Sequence, residues 1–598
     1  MQKHVSLLGK RDYILFFVVT LLTGVFFGLF AYIGVDAIHD GMMLKTALDL
    51  ESGQSLHKEV WFIFGSLTAY IQVFFLWALG DTLASLRTSA LCAYALCSGL
   101  LYLCWRQFLP VSLALLSVFV WYVFAPFYLP SNLGRFHIWS SVYALLFQAL
   151  SLLLLISTST STSRKPTILY LCCGITASLT FWCRQPVGVF LTMACGAALI
   201  INHLKERRLL LRSLVFFALG CLAVHGFALA CLFSKNALGD WYFQTIQFPA
   251  KWAQDTLGGN PVARMLVGTF SVGNWSRKAL VLLLAVTTPW AFRNKIPRPI
   301  RRALPLYTGL FFVLSYALLV PSWGRYQIIN SLSTGLLAVL PFIFLIWGIW
   351  LSVLSVVPWR RIPAGSTPML ISAVFVSVAS LLQYMPQRCD HHIFWALTPV
   401  VGLFVYLVWQ YTKIQSRWIV IGFLLFLGPI IVDRLILAQN KLSIPYVTLS
   451  KPSVLRGLHV TGEETQWQDF GEAIEEQYKK HSTQSILLMG WHHVAGASGK
   501  SYPRIAPIFA YDKFYSPDPR RWESIWAASV KTARPLIVTE LEREELVEKF
   551  LTKANYCSSA KFEKLGIELF VPLASPSEDS VMASTAQSPK NSVGSRTH

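Results

Sequence analysis

Fourteen stretches of predominantly apolar residues, each close to the about 17 to 25 residues that cross a bilayer as a helix, recur between residues 13 and 437. They lie near 13–34, 61–80, 84–105, 109–129, 137–157, 167–183, 186–203, 209–234, 277–293, 303–321, 328–352, 367–385, 391–411 and 418–437. A soluble core cannot bury so many such segments, and hydrocarbon tolerates only helices or closed barrels because every backbone polar group must be satisfied internally. The chain therefore reads as an all-α polytopic membrane bundle. Composition agrees: 54% of its 598 residues are hydrophobic and 14% charged, where a soluble domain is roughly 25% charged. A soluble enzyme, a disordered chain and a disulfide-rich secreted scaffold are excluded.

The net charge of +21 would suggest nucleic acid if it were spread evenly. It is not: residues 1–439 hold 32 Lys+Arg against 12 Asp+Glu, whereas residues 440–598 hold 19 against 18. The excess belongs to short loops of the membrane part, as the positive-inside rule requires, and no nucleic-acid partner is expected. The most basic loops, at Arg164-Lys165, at 205–208, at 293–302, at Arg360-Arg361 and at 413–417, should all be cytoplasmic. Fourteen crossings would put them opposite the basic N-terminus of Lys3, Lys10 and Arg11, so one run must not cross. The candidate is 61–80, which contains Gly65, Ser66, Thr68 and Gln72, as a helix lying in the interface would. About 13 transmembrane helices follow, in a plasma (bacterial inner) membrane, with a cytoplasmic N-terminus, an uncleaved first span and residues 440–598 outside.

Three parts result: a multi-span domain 1–439 with a first outer loop 35–60, a small extracytoplasmic α/β domain 440–573, and a disordered tail 574–598. In the second part, amphipathic helical stretches at 464–480 and 540–554 alternate with short apolar strands at 485–489, 535–538 and 568–571. Most of the 11 cysteines fall within apolar runs, where a thiol acts as a small hydrophobe. Cys389 and Cys557 are the two that could meet outside the membrane. Trp121, Tyr122, Trp139, Trp290, Trp323 and Trp395 read as an interfacial aromatic belt, and His492-His493 as surface.

Five of the 12 acids of the membrane part, Asp36, Asp40, Asp49, Glu51 and Glu59, crowd into the first outer loop. Asp36 and Asp40 stand at the lip of the bundle about one helical turn apart, where an ionisable group is a functional hypothesis; Asp49, Glu51 and Glu59 read as solvated. Isolated cations occupy other outer span ends: Arg135, Arg184, Arg325 and Arg388. Charge asymmetry does not predict them there, and a guanidinium grips phosphate by paired hydrogen bonds, although snorkelling is the alternative. His39 and Lys58 are further candidates for meeting substrate. Asp390-His391-His392 are metal-capable, but neighbours on a helix do not share a face.

The stretch HDGMMLKTALDLESGQSLHKEVWFIFGSLTAY, an aspartate just after span one, a helix, and an apolar segment near the interface, resembles the first loop of the GT-C superfamily of membrane glycosyltransferases, of the protein mannosyltransferase and lipid A aminoarabinose transferase type. FWCRQPVGVF and GRYQ are similar to further segments of that family. The resemblance implies a GT-C-like bundle that moves a sugar from a polyprenyl-phosphate-linked donor to an extracytoplasmic glycan, lipid or protein. It implies that Asp40, with Asp36 as the fallback, is the catalytic base, and that Arg184 and Arg325 hold the phosphate; Arg388 is a substrate-binding candidate by its position alone. Many relatives carry a further acid in the second outer loop, which is absent from SNLGRFH. No cofactor is then required; if a divalent cation binds, Asp36 with Asp40, or Asp390 with His391 or His392, are the choices. The alternative classes are a transporter or flippase, whose site should lie mid-membrane among broken helices, and a ligase of lipid-linked saccharides.

Overall fold

The computed structural model describes chiefly residues 8–128, 134–160, 166–251, 367–380, 390–412, 415–481, 485–489, 493–499, 534–542 and 545–573, with short pieces between them. The runs at 277–293, 303–321 and 328–352, together with Arg325, Arg388, Cys389, His492 and the segment 574–598, lie outside the described residues.

The other runs are helical. In chain order they are α1 (Lys10–Ala31), α2 (His39–Glu51), α3 (Ser66–Leu79), α4 (Leu83–Arg106), α5 (Val111–Val123), α6 (Ser140–Thr160), α7 (Pro166–Cys183), α8 (Gln185–His203), α9 (Arg207–Ser234) and the short α10 (Leu238–Tyr242). Then follow α11 (Thr367–Ser380), α12 (Asp390–Leu397), α13 (Val400–Thr412) and α14 (Ser416–Leu442). The run at 391–411 is thus two helices, divided at Thr398-Pro399, where proline withholds the N–H that would continue the ladder. Among the described residues five helices, α1, α4, α6, α8 and α9, are long and apolar enough to cross a membrane. Their outer faces expose Phe17, Leu21 and Leu22 on α1 and Leu222, Phe227 and Phe233 on α9, as lipid-facing surfaces do.

Helix α1 packs on α4, α6 on α7, and α7 on α9. In the last pair a Cβ on Gly174 would stand 2.1 Å from the Phe217 carbonyl, and one on Gly220 would stand 2.2 Å from that of Leu171. Such close backbone approach supplies packing where lipid removes the hydrophobic drive between helices. At the start of α1, Asp12 accepts from Arg106 at 2.8 Å and from the Tyr102 hydroxyl at 3.2 Å, pinning the far end of α4 to the N-terminal end of α1.

Segment 61–80 is tied down at both ends. Gly65 N–H donates to the Cys183 carbonyl at 3.1 Å in the α7–α8 turn, and Phe64 packs on Trp139, which packs on His39 of the first loop. The other end of α3 brings Asp81 to Glu51, the last residue of α2. Both ends of this 14-residue helix, about 21 Å long, therefore pack against residues of the first loop and its neighbours.

The C-terminal part holds a ribbon, β1 (Val447–Thr448) with β2 (His459–Val460), then α15 (Gln466–His481), β3 (Ile486–Met489), α16 (His493–Ala497), β4 (Leu536–Glu540), α17 (Glu545–Lys553), β5 (Tyr556–Phe562) and β6 (Ile567–Pro572). Its four-stranded sheet runs β3-β4-β6-β5, with β3 and β4 parallel and the remaining pairs antiparallel. Three of these strands match the apolar runs; β5 does not, because YCSSAKF buries chiefly its two ends and turns polar residues outward. The unit sits on the first loop: the His459 backbone pairs with Tyr32 and Gly34 at 2.9 and 2.8 Å, and α16 lies on α2. A Cβ on Gly41 would stand 2.1 Å from the Val494 nitrogen, so α2 meets α16 at backbone contact. His493, expected at the surface, is consequently buried at this seam.

Candidate active site

Where α1 ends, the chain turns through 32–38 and starts α2, and Asp36 makes the turn. Its Oδ1 accepts the backbone N–H groups of Ile38 and His39 at 3.0 and 2.8 Å, satisfying donors that an unaided helix start leaves open. Its Oδ2 accepts from His39 Nδ1 at 2.9 Å. The two side chains are 12% and 41% exposed, so the pair reaches solvent chiefly through the His39 ring. Burial alone would raise the Asp36 pKa; the hydrogen bond and charge of His39 outweigh it and hold the carboxyl well below the usual range. Burial likewise opposes protonation of His39, and Asp36 reverses that, raising its pKa. The geometry presents a carboxyl group hydrogen-bonded to an imidazole at the end of α1.

Asp40 lies one turn behind and is 1% exposed. Its Oδ2 accepts from Arg87 Nη2 at 2.6 Å and from the Asp36 N–H at 3.0 Å. Arg87, 0% exposed, also donates to the carbonyls of Ala31 and Ile33 at 3.1 and 3.3 Å. Burial pushes the Asp40 pKa up while Arg87 pulls it back. The Asp40–Arg87 pair thus ties α2 to α4 and to the last carbonyls of α1, from a position closed to solvent. Arg87 was legible as a lone guanidinium inside an apolar run, an arrangement that is costly without a partner.

The second outer loop closes the other side. His137 packs 5.8 Å from His39 and 4.3 Å from His391, ring centre to ring centre. Burial drives the His137 pKa down to about 3, so this ring is neutral. Arg135 does not reach toward a phosphate or snorkel into the interface: it donates to Glu464 of the C-terminal domain at 2.6 Å. His391 Nε2 donates to the Arg135 carbonyl at 2.9 Å, and Lys441 donates to Gly134 and Phe127 carbonyls at 2.8 and 2.9 Å. Among the described residues no group of three or more His, Cys, Asp or Glu is placed to hold a metal ion. His391 and His392 are buried, and nothing is described of the Asp390 side chain.

Several expectations are corrected here. Trp121 and Trp395 are each 1% exposed, and Trp121 stacks on Phe394 at 4.8 Å; they are core and not an interfacial belt, because the bundle folds around them. Asp49 is not solvated but buried against Lys45 one turn earlier on α2. Lys58 faces Asp240 beyond α9 at 3.6 Å, both side chains partly exposed, on the rim. Arg184 stands at the N-terminus of α8, 9% exposed, in the turn that Gly65 and Thr68 hold through the Cys183 carbonyl. Phe64 and Trp139 join that turn to His39, so Arg184 and Asp36 share one face. Cys557 is free.

No family model matches this sequence and no curated protein matches it. The structure is similar to the crystal structure of ArnT from Cupriavidus metallidurans bound to undecaprenyl phosphate, at 11% identity and a TM-score of 0.43, over 95% of this chain and 99% of that one. It is similar also to the apo state of the same protein, at 12% identity and a TM-score of 0.44, over 94% and 98%.

Proposed function

We propose that this protein is a membrane glycosyltransferase that moves a sugar from a polyprenyl-phosphate-linked donor to a hydroxyl- or amine-bearing acceptor on the side of the C-terminal domain. The observation that carries the reading is the Asp36–His39 pair, a carboxylate oriented by two backbone N–H groups and by an imidazole that reaches solvent, linked to the turn at Arg184 through Trp139 and Phe64. In the transfer, the bond from the sugar's anomeric carbon to the phosphate oxygen breaks as the bond to the acceptor oxygen forms. The acceptor's proton grows acidic as that bond forms, and Asp36, a weak base, orients the group and takes the proton late. The electron pair leaves with the lipid phosphate, whose growing charge needs fixed cations; Arg184 is assigned this role, with Arg325 and Arg388 as further candidates. Asp40 is assigned a structural task, holding α2 against Arg87, because its carboxylate is sealed from solvent.

The test is a mass-spectrometric comparison of surface glycans and glycolipids from cells carrying the wild-type chain, Asp36→Asn, or no chain. The modification present with wild type should fall by about 10²-fold or more in Asp36→Asn, the scale of a positioned acid–base group, at equal membrane expression. A modification that persists unchanged in Asp36→Asn would remove the assignment.

A further inference from the structure

Among the described residues, the C-terminal domain reaches the turn at Asp36 through backbone contacts of His459 and Val494 and through the Glu464 side chain. Glu464 follows β2 by a few residues and belongs to the short helical turn Gly462–Thr465. Its Oε2 accepts the Val35 N–H at 3.2 Å, and its Oε1 accepts from Arg135 Nη2 at 2.6 Å. Val35 immediately precedes Asp36, and Arg135 lies two residues before His137, whose ring packs on His39. One carboxylate therefore grips both loops of the site, each beside the residues that shape it. Gly34, with φ +74°, shows how tight the cluster is: a Cβ there would lie 3.5 Å from Glu464 Oε2 and 3.7 Å from Arg135 Nε.

The grip does not stand alone. The His459 backbone holds Tyr32 and Gly34, and Lys441 and His391 hold the carbonyls of Gly134 and Arg135. Those contacts fix each loop separately to its surroundings. Glu464 joins the two loops to each other by hydrogen bonds, beside the ring contacts of His39 with His137 and Trp139. Its own charge is balanced by Arg135 against the cost of burial, which raises its pKa.

We propose that Glu464 is a positioning residue for the transfer reaction: by clamping the Val35 amide and Arg135 together it sets the register of Asp36 and His39 against the second outer loop. The C-terminal domain is then part of the active-site frame and not a cap on the bundle. The proposal rests on the glycosyltransferase reading for its catalytic consequence, but its structural half does not.

The experiment uses the full-length chain in detergent and in cells, as wild type, Glu464→Gln and Glu464→Ala. Glutamine keeps an oxygen for the Val35 N–H; alanine removes both contacts. Hydrogen exchange is followed at 33–40 and 134–139, alongside binding of a long-chain polyprenyl phosphate and the yield of the surface modification. In Glu464→Ala, exchange in both segments should rise by about tenfold or more while lipid binding changes less than about twofold. Modification yield should fall by about tenfold or more, since misplacement by about 1 Å costs that order of rate, and Glu464→Gln should recover most of it. Exchange confined to wild-type values in both segments would overturn the clamp. Raised exchange with undiminished yield would overturn the positioning role. If Asp36→Asn leaves the modification intact, the glycosyltransferase reading fails by itself, and exchange still decides whether the clamp exists.

Discussion

Replacing Arg87 by leucine should unfold more of this protein than any catalytic substitution. The guanidinium is 0% exposed and makes three contacts, to Asp40 at 2.6 Å and to the Ala31 and Ile33 carbonyls at 3.1 and 3.3 Å. In Arg87→Leu the Asp40 carboxylate keeps the Asp36 N–H and loses its counter-charge. Removing one partner of a buried pair costs about 3–5 kcal/mol, a large part of a total stability of about 5–15 kcal/mol. The carboxyl can escape by taking up a proton. Its folded pKa then lies above the unfolded value, so the penalty is present at neutral pH and is released as pH falls through the folded pKa, at about 1.4 kcal/mol per pH unit. Tryptophan fluorescence of detergent-solubilised protein during thermal unfolding reads this directly. The gap between wild type and Arg87→Leu should narrow from pH 8 toward pH 5, and Arg87→Leu combined with Asp40→Leu should recover at least half of it, because a well-packed apolar pair is often as stable as the ion pair it replaces. A single variant within about 0.5 kcal/mol of wild type, or a double variant no better than the single, would refute this account of the pair.

Gly41→Val should loosen the C-terminal domain from the first loop, because its Cβ would meet the Val494 nitrogen at 2.1 Å; overpacking of this kind costs about 1–3 kcal/mol, and protease cleavage between 440 and 460 measures it. The Asp36–His39 pair predicts a pH profile of stability. His39 has a raised pKa, so its contribution is full below about 6.5 and is lost as pH rises through the folded value. Asp36 has a depressed pKa, so its contribution is present above about 3.9 and is lost only as pH falls through the lower folded value. Asp36→Asn should flatten the alkaline limb of a melting-temperature series, and an unchanged limb counts against the pair. Transfer is expected to survive a chelator; loss of the surface modification that an added divalent cation restores would reverse that expectation.

Apolar run length determined the membrane class, because bilayer thickness acts on local sequence. The crowding of acids at 36–59 singled out the first loop for the same reason: charge next to a span end is visible without a fold. What the sequence left open was which acid faces out. Asp36 and Asp40 are equivalent on a helical wheel, and only the packing of α4, which delivers Arg87 beneath Asp40, turns one inward and leaves the other beside the exposed His39 ring. Glu464 and Arg135 are 329 residues apart, so their pairing, like the burial of Trp121 and Trp395, depends on long-range packing that no local pattern encodes. Tertiary structure thus assigned the partners, because a charge in a low-dielectric setting takes its role from whatever opposite charge the fold brings within reach.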